Sequence, residues 1–412
     1  MKVLWLTNVP IGNIKNKSEY FGGGWLEGAY SAFSHTNNSI FIVFPDKIKK
    51  KDESYETIVY KKSSISLHDN VVKQLEIILK EYNPDVIHIW GTEYMHSLAM
   101  VKAAQRLGMQ NRVVISIQGM VSIYALHYTA GIPVKYCYGF SFREMSHIDS
   151  IWLQKYKYMM RGKLERQAIS EVNWVIGRTV WDKACTMQIN SGIHYLKCNE
   201  SLRDDIYISE KWNIDKCKKH SIFFSQAHYP IKGLHILLKA LPIILSYYPD
   251  TKVYVAGEEK DLKSKICIHR NSYDKYIVKL CKKNNLLDCI KFLGNIDAKE
   301  MASQYRNANV FVCSSSIENS PNSVGEAMLI GVPTVAADVG GIRDLVNHME
   351  NGFVYPFDEY YMLAYYVNII FSQPEIATRI SQSAIAKGEK IHDRNRNNER
   401  LIEIYESICK KD

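Results

Sequence analysis

Short apolar runs alternate with longer segments of helical period along most of the chain. In the first half, β-branched and aromatic residues predict strands at 2–6, 40–44, 86–89, 113–117 and 174–176. Between them, apolar residues recur every three or four positions and predict helices at 70–82 and 94–107. Strands that alternate with helices in this way are typical of parallel sheets with crossover helices.

The alternation stops at a polar stretch around residues 203–220 and then begins afresh. New strands are predicted at 221–225, 252–256, 290–293, 310–313 and 334–336. We therefore predict two Rossmann-like domains, at 1–210 and 211–390, followed by a C-terminal helix at 391–412 that can return to the first domain. The predicted fold class is α/β, with two doubly wound sheets facing each other across a ligand cleft.

Composition and charge narrow the class of partner. The chain has 412 residues, of which 46% are hydrophobic and 23% charged, and its formal net charge is +9. A field of this sign attracts nucleic acid, an anionic membrane surface or an anionic substrate. The basic residues are spread along the chain and no helix-turn-helix, RRM or zinc-finger pattern occurs, so we expect no nucleic-acid partner.

Cysteine usage and the N-terminal residues indicate the compartment. The nine cysteines are scattered and contain no C-x-x-C pair, which is typical of reduced thiols in the cytosol. The apolar start at residues 2–6 is too short for a signal peptide, and no later stretch reaches the roughly 20 apolar residues that a membrane span needs. We expect a cytoplasmic protein, either soluble or peripheral on the inner face of the membrane.

The loop and helix after the predicted strand at 310–313 carry the strongest chemical signal. From Ser314 to Pro333 they read S-S-S-I-E-N-S-P-N-S-V-G-E-A-M-L-I-G-V-P. The N–H groups of residues 322–324 lie at a helix start, where unpaired donors and the helix dipole suit a diphosphate. Carboxylates at Glu318 and Glu326 can accept hydrogen bonds from sugar or ribose hydroxyls.

Part of this motif also has a purely structural interpretation. Ser323 and Glu326 form an S-x-x-E pattern, which is the signature of a capping box and needs no ligand. That interpretation leaves Glu318 unexplained.

A lysine and a glycine cluster are further candidates for contact with phosphates. Lys232, before Gly233 at a predicted helix start, can place a compact cation against a diphosphate, although a lone pair of this kind is more often a solvated surface feature. Residues 22–24 are three glycines, which allow a ligand to approach the backbone but also mark plain turns. Their spacing does not match a dinucleotide fingerprint, which argues against an NAD enzyme.

At these residues the chain resembles glycosyltransferase family 4, whose hallmark is E-x7-E followed by A-M-A-x-G-x-P. Here the motif runs from Glu318 to Glu326 and continues as A-M-L-I-G-V-P from Ala327 to Pro333. The resemblance extends over nearly the whole chain. It implies a GT-B fold, retaining transfer of a sugar from a nucleotide sugar, an acceptor-binding domain at 1–210 and a nucleotide-sugar-binding domain at 211–390.

The resemblance also implies roles for single residues. Glu318 would contact the donor sugar and Lys232 the leaving diphosphate, as the catalytic pair, while Glu326 would bind the ribose. Gln118 stands where the family often has a histidine that contacts the sugar. The donor-binding residues implied are Gly22, Gly23, Gly24, Gln118, Gly257, Gly294, Asn295, Ile296, Ser320, Pro321, Asn322, Ser323, Val324 and Glu326.

One position departs from the family pattern. Members usually carry an arginine five or six residues before the lysine, where this chain has Gln226 and Ala227. Neutralisation of the diphosphate must then rely on Lys232, on the helix N-terminus or on an arginine from elsewhere, such as Arg343. No D-x-D pair and no metal-ligand spacing occur, so we expect no metal and no cofactor.

Residues 152–166 combine five cations with Trp152, tyrosines and methionines. A basic, aromatic helix can rest on anionic lipid, but an amphipathic helix docked on the first domain explains the same pattern.

The sequence thus predicts a metal-independent, retaining hexosyltransferase. Its expected partners are a nucleotide sugar, with UDP favoured over GDP, a glycan or lipid-linked glycan acceptor in surface polysaccharide biosynthesis, and an anionic membrane surface. Two alternatives remain open. One is a nucleotide-sugar epimerase of the same fold, and the other is a catalytically silent protein that binds sugar nucleotides or glycans.

Overall fold

The computed structural model describes residues 1–11, 24–34, 38–139, 144, 149–227, 229–257 and 270–410. Gly22 and Gly23 lie outside the described residues, and Gly24 is the first residue of a helix.

Two parallel sheets form the framework of the described chain. The first has the strand order β3-β2-β1-β4-β5-β6-β7, with β1 Lys2–Leu6, β2 Ser39–Asp46, β3 Tyr55–Val59, β4 Val86–Trp90, β5 Val113–Ser116, β6 Trp174–Gly177 and β7 His194–Lys197. The second has the order β10-β9-β8-β11-β12-β13, with β8 Lys218–Phe224, β9 Lys252–Val255, β10 Ile290–Phe292, β11 Ala308–Cys313, β12 Thr334–Ala337 and β13 Phe353–Tyr355. All pairings between these strands are parallel.

Helices lie in the connections between most of the parallel strands, whereas β2 and β3 are joined by residues 47–54 without a helix. In the first half they are α1 Gly24–Ser34, α2 Asp69–Tyr82, α3 Met95–Arg106, α4 Val121–His127, α5 Val134–Cys137, α6 Ile151–Ser170, α7 Val180–Ile189 and α8 Asp204–Ile208. In the second half they are α9 Leu234–Tyr247, α10 Ser272–Lys283, α11 Ala298–Asn307, α12 Asn322–Ile330, α13 Ile342–Leu345, α14 Tyr360–Ser372, α15 Pro374–Ile391 and α16 Arg394–Cys409. Two 3₁₀ turns lie at Gln110–Arg112 and Pro230–Lys232.

The predicted pair of doubly wound α/β sheets is confirmed, and all ten predicted strands are present. Three further strands, β3, β7 and β13, were not predicted from the sequence, and each of them lies at the edge of a sheet. These strands span three to five residues, and only β7 is largely exposed, so they are too short to give the long apolar run that marks a central parallel strand.

The chain divides into two compact units, and neither is continuous in sequence. Unit 1 comprises residues 1–125, 157–203 and 392–412, and unit 2 comprises 126–156 and 204–391. The main part of unit 2 begins at residue 204, a few residues before the predicted boundary at 210. The segment 126–156 is predicted to lie in the first domain, but it groups with unit 2.

Long-range hydrogen bonds explain why this segment groups with unit 2. His235 Nε2 donates to Ala130 O at 3.1 Å, and Lys239 Nζ donates to Gly131 O at 3.0 Å. Ser316 Oγ donates to His127 O at 3.1 Å. These partners lie more than 100 positions away in the sequence, so local patterns carry no signal for the grouping.

The core of unit 1 lies on both faces of its sheet, because side chains alternate along each strand. Val3 and Trp5 of β1 pack on one face, and Leu4 and Leu6 pack on the other. Helix α16 covers the first face, where Trp5 Nε1 donates to Tyr405 Oη at 3.0 Å. The C-terminal helix therefore packs within the unit that contains the N-terminus.

His88 lies inside this core with no exposed surface. Its Nδ1 is 2.5 Å from Tyr405 Oη and its Nε2 is 2.6 Å from Ser116 Oγ. Burial holds the pKa of His88 well below its ordinary value. His88 is therefore a neutral, hydrogen-bonded core histidine.

By length and composition, one stretch of the described residues, Pro230–Tyr247, is apolar enough to cross a membrane. It contains α9, and 61% of it is buried in the fold, as is usual for the core helix of an α/β domain.

Candidate functional site

Lys232 and Glu318 meet at the topological switch point of the second sheet. The strand order runs outward in both directions from the central pair β8 and β11, and in open α/β sheets ligands bind outside the carboxyl ends of such a pair. Lys232 lies in the connection that follows β8, and Glu318 lies in the loop that follows β11. The structure thus brings together two residues that are 86 positions apart.

The two side chains form an ion pair with little exposure to solvent. Lys232 Nζ donates to Glu318 Oε1 at 2.6 Å, and the side chains are 22% and 7% exposed. Ser315 Oγ donates to the same carboxylate oxygen at 2.7 Å. The alternative interpretation of Lys232 as a solvated surface lysine is therefore wrong.

Burial lowers the pKa of the Lys232 ammonium, but Glu318, with smaller contributions from Cys313 and Tyr229, opposes this shift, and the pKa lies above its ordinary value. The lysine is charged at neutral pH. Burial next to Glu318 raises the pKa of the Cys313 thiol to about 12, so that this cysteine is neutral. The fixed charges of this pocket are therefore one ammonium and the carboxylate that balances it.

A glycine allows the two loops to approach each other. Gly233 has φ of +74°, and a Cβ atom there would lie 1.7 Å from Ser314 O. Ser316 N donates to Ile231 O at 2.7 Å, and Ser314 Oγ donates to Gly233 O at 2.8 Å. A glycine is therefore required directly after Lys232, because any side chain at Gly233 would separate the loops.

A second glycine, Gly340, lies against the backbone of Glu318. Gly340 has φ of +52°, and a Cβ atom there would lie 1.9 Å from Glu318 O. The next residue, Gly341, donates its N–H to Glu318 O at 3.0 Å. Glu318 is therefore fixed from the side of the β12 loop as well as by its own strand.

Helix α12 begins beside the pair, but the predicted capping box is not formed. The N-cap is Pro321, which makes no side-chain cap, and Ser323 lies inside the helix. Glu326 is 4% exposed, so it is buried within unit 2. The structural explanation of the S-x-x-E pattern is therefore wrong.

The helix start also differs in part from the predicted row of donors. Val324 N donates to Pro321 O at 3.0 Å, so its N–H is used within the first turn. Asn322 and Ser323 come before Val324 in the first turn, where the N–H groups of a helix have no carbonyl partner within the helix. The positive end of the dipole still points out of the helix at this position.

The pocket at the pair is narrow. It is lined by Phe224, Ser225, Gln226, Lys232, Val312, Cys313, Ser315, Glu318 and Ser323. Gln226, where the resemblance leads us to expect an arginine, is therefore in the pocket, whereas Ala227 is fully buried. Arg343 is occupied elsewhere, because its guanidinium binds both carboxylate oxygens of Asp338, at 2.8 and 2.5 Å.

Other predicted donor residues lie along the same edge of the second sheet. Gly257 follows β9 and Gly294 follows β10, and Gly257 N donates to Gly294 O at 2.9 Å. Asn295 is exposed and Ile296 is half-buried beyond them. Ser320 and Pro321 complete the loop before α12. Within the described ranges, no group of three His, Cys, Asp or Glu side chains lies close enough to hold a metal ion.

Gln118 belongs to unit 1 and is held by a buried ion pair. Its Nε2 donates to Glu200 Oε1 at 2.5 Å, and Arg178 Nη1 donates to Glu200 Oε2 at 2.6 Å. Arg178 Nη2 also donates to Gln118 O at 3.2 Å. The predicted sugar contact therefore sits in a fixed orientation at the carboxyl end of β5.

The switch point of the first sheet carries a second polar cluster, which sequence analysis missed. It lies between β1 and β4, where Asn8 Nδ2 donates to Glu93 Oε2 at 2.9 Å. Lys62 and Arg161 lie 4.8 and 5.0 Å from the ring centre of Tyr94. The only sequence signal was that Asn8 and Glu93 follow buried strands, because the strand order that makes them neighbours is a tertiary property.

These charges are partly desolvated. Burial lowers the pKa of Lys62, with Glu93 opposing the shift and Arg161 adding to it. Burial raises the pKa of Glu93, against hydrogen bonding and nearby cations. The cluster combines two cations, one carboxylate and an aromatic ring, which is a set of groups suited to an anionic or hydroxyl-rich ligand.

The fold is that of GT-B glycosyltransferases. Sucrose-phosphate synthase from Thermosynechococcus elongatus superposes with a TM-score of 0.71 over 100% of both chains, at 14% sequence identity. HepE of Anabaena, crystallised in complex with UDP-glucose, superposes with a TM-score of 0.68 over 99% of this chain and 100% of that one, at 18% identity. At such identities the likeness concerns the fold alone.

Sequence similarity is concentrated in the second unit. Residues 206–387 match the family model of glycosyl transferases group 1, which covers a little under half of the chain. Spore coat protein SA of Bacillus subtilis (strain 168) is 28% identical over 178 residues, or 43% of this chain and 46% of that protein. The chain thus matches less than half the length of this curated relative. The matched residues include Lys232, Glu318 and Glu326.

Proposed function

We propose that this chain is a retaining GT-B glycosyltransferase, which transfers a sugar from a nucleotide diphosphate sugar to a glycan acceptor. The observation that carries the proposal is the Lys232–Glu318 ion pair at the switch point of the second sheet, next to the N-terminus of α12. The family match over residues 206–387 supports the same assignment.

In this proposal the second unit binds the donor. Departure of the diphosphate leaves an oxocarbenium-like anomeric carbon, and the developing negative charge must be stabilised. Lys232 supplies a cation for that charge, and the N–H groups of Asn322 and Ser323 supply donors at the helix N-terminus. When the donor binds, Glu318 gives up the hydrogen bond from Lys232 and accepts hydrogen bonds from sugar hydroxyls. Glu326 binds the ribose.

The proposed stereochemistry follows from the family resemblance. The acceptor oxygen bonds to the anomeric carbon on the face that the diphosphate leaves, and a phosphate oxygen takes the acceptor proton. The configuration is then retained without a protein nucleophile. Neither a metal nor a cofactor is part of the proposed mechanism, and UDP is the proposed nucleotide, as in the UDP-glucose complex of HepE.

We propose that unit 1 binds the acceptor at its own switch point. Lys62 and Arg161 suit a phosphate or carboxylate of the acceptor, while Asn8 and Glu93 suit its hydroxyls. A lipid-linked oligosaccharide of surface polysaccharide biosynthesis has both kinds of group. The eight cysteines in the described part are free thiols, which supports a cytoplasmic site of action.

The first experiment is a thermal-shift panel with UDP, GDP, ADP and dTDP and their glucose conjugates. A ligand that binds only the folded state stabilises it by about 2.7 kcal/mol when its concentration is 100 times the dissociation constant. We expect the UDP compounds to give the largest shift. If no nucleotide shifts the melting temperature of the folded chain, the proposed donor site is wrong.

The second experiment separates the enzyme from the two alternatives. A glycosyltransferase releases UDP from its donor faster when acceptor glycan is added. An epimerase converts the sugar without an acceptor and releases no nucleotide, and a silent binding protein gives a thermal shift but no turnover. The measurement is UDP release and sugar analysis in the same reaction.

A further inference from the structure

Helix α10 carries a row of cations that the proposed donor and acceptor sites do not use. Lys275, Lys279, Lys282 and Lys283 are spaced by four, three and one positions, which places them on one side of the helix. The opposite side is buried and includes Tyr276 and Ile277. The helix is thus anchored in unit 2 by its apolar side and presents a cationic side.

These lysines line a concave groove rather than a convex surface. The groove has a volume of about 490 Å³, and the described residues that line it are Arg270, Val278 and the four lysines of α10. Among the residues that the structure describes, none of those lining the groove is acidic. A helix C-terminus favours cations in its last turn, which accounts for Lys282 and Lys283. It does not account for Lys275 or Lys279.

Helix α5 adds another cation and an exposed apolar surface beside the groove. The rings of Tyr136 and Tyr276 pack against each other at a tilt of 32°, with 4.9 Å between ring centres, which fixes α5 against α10. Lys135 lies close to Lys279, and the repulsion lowers the pKa of Lys135. The neighbouring Val134 and Tyr138 are 73% and 58% exposed.

The exposed apolar residues are concentrated in this part of unit 2. The segment 126–156 contributes five of the seventeen large hydrophobic residues that are exposed in the described chain, namely Leu126, Val134, Tyr138, Trp152 and Tyr156. Lys155, next to Tyr156, acts electrostatically on Cys137 of α5, so the start of α6 lies near α5. Aromatic and aliphatic side chains beside lysines are the composition of surfaces that enter the headgroup region of a bilayer.

We propose that the groove of α10 and the exposed side of α5 form a membrane-docking surface of unit 2, which takes phosphate headgroups of anionic lipids while Val134 and Tyr138 enter the interface. Lys135 and the four lysines of α10 form no ion pair with a described residue, so their charge complements anionic lipid, and the apolar rim favours a lipid surface over a soluble polyanion. The surface differs from the helix at 152–166 that the sequence suggested. In α6, Arg161 lies over Tyr94 and Lys155 Nζ is 3.3 Å from Thr129 Oγ1, so two of its cations are already in contact with the protein.

The test is flotation of the full chain with vesicles of phosphatidylcholine alone or with 30% phosphatidylglycerol, without nucleotide. Each lysine near an anionic surface strengthens binding by about five- to tenfold, so the triple variant K275E/K279E/K282E should bind at least a hundredfold more weakly. The matched control K216E/K219E/K299E changes three exposed lysines of the same unit and should bind within threefold of wild type. Circular dichroism and melting curves verify that both variants are folded.

Two further arms identify the partner. V134S/Y138S leaves the charge unchanged and should weaken binding about tenfold or more if the apolar rim enters the bilayer. Inorganic polyphosphate, added as a soluble polyanion, should compete only weakly. The proposal is overturned if the control variant loses binding as strongly as the α10 variant, if V134S/Y138S binds like wild type, or if polyphosphate binds the groove while vesicles do not. Because these assays contain no donor, they are independent of the proposed transferase activity.

Discussion

Removal of the Lys232 charge should affect rate and stability to different extents, and a second substitution can separate the two. Lys232→Met keeps the aliphatic stem but leaves Glu318 as a carboxylate with 7% exposure. Breaking a fully buried pair costs about 3–5 kcal/mol. Lys232 retains 22% exposure and Ser315 still donates to the carboxylate, so we expect a loss of about 2 kcal/mol in the free energy of unfolding.

The rate should fall further than stability can explain. Loss of one preorganised charge at a developing anion costs about 10²- to 10³-fold, or roughly 3–4 kcal/mol. The double variant Lys232→Met with Glu318→Gln contains no buried charge at this position, and should recover most of the lost stability. It should recover none of the rate. Lys239→Met is a matched control, because Lys239 Nζ donates to Gly131 O in the same unit and lies outside the pocket.

The assay is release of UDP from the donor that gives the largest thermal shift, with and without EDTA, together with urea denaturation of each variant. EDTA should leave the rate unchanged. If Lys232→Met remains within threefold of wild type, or if the double variant regains activity together with stability, Lys232 does not act on the leaving group. Loss of activity in EDTA that Mg²⁺ restores would contradict the metal-free mechanism.

Three other predictions concern a glycine beside Glu318 and two charged residues of unit 1. Gly340→Ala should lower the free energy of unfolding by at least about 2 kcal/mol and reduce the rate, because its Cβ would lie 1.9 Å from Glu318 O. The control Gly108→Ala, at φ +70°, meets no atom within 4 Å and should cost about 1 kcal/mol. Equal losses of stability in the two variants would contradict the steric argument. Burial raises the pKa of Glu165 to about 7, so the folded state binds this proton more tightly and stability should fall as pH rises from 4.5 to 7. Glu165→Gln should remove about 3 kcal/mol of that pH dependence in denaturation curves, and an unchanged slope would show that the carboxyl is already ionised. Arg161→Ala should raise KM for an anionic acceptor tenfold or more and leave donor binding unchanged in the thermal-shift assay; an effect on the donor instead would remove the acceptor assignment of this cluster.

Much of the fold could be predicted from the sequence because buried parallel strands leave a local signal. Strands such as β4 and β11 are apolar along almost their whole length, since helices cover both faces of the sheet. The edge strand β7, with the sequence H-Y-L-K, carries no such run because one edge faces solvent. The E-x7-E motif could also be identified from the sequence, because all of its residues lie in one loop and the helix that follows it.

Tertiary structure alone decided which distant residues became neighbours. Lys232 and Glu318 were separate candidates in the sequence, and the order of the strands made them an ion pair. The same holds for Asn8 and Glu93 in unit 1, and for the segment 126–156, which joins unit 2 through bonds to residues such as His235. Local patterns report which side of an element is buried, but they contain no information on its partner, because strand order and register are set by packing of the whole sheet. The sequence by itself therefore determined the elements and the chemistry available in their loops, and the tertiary structure decided which of those groups share a site.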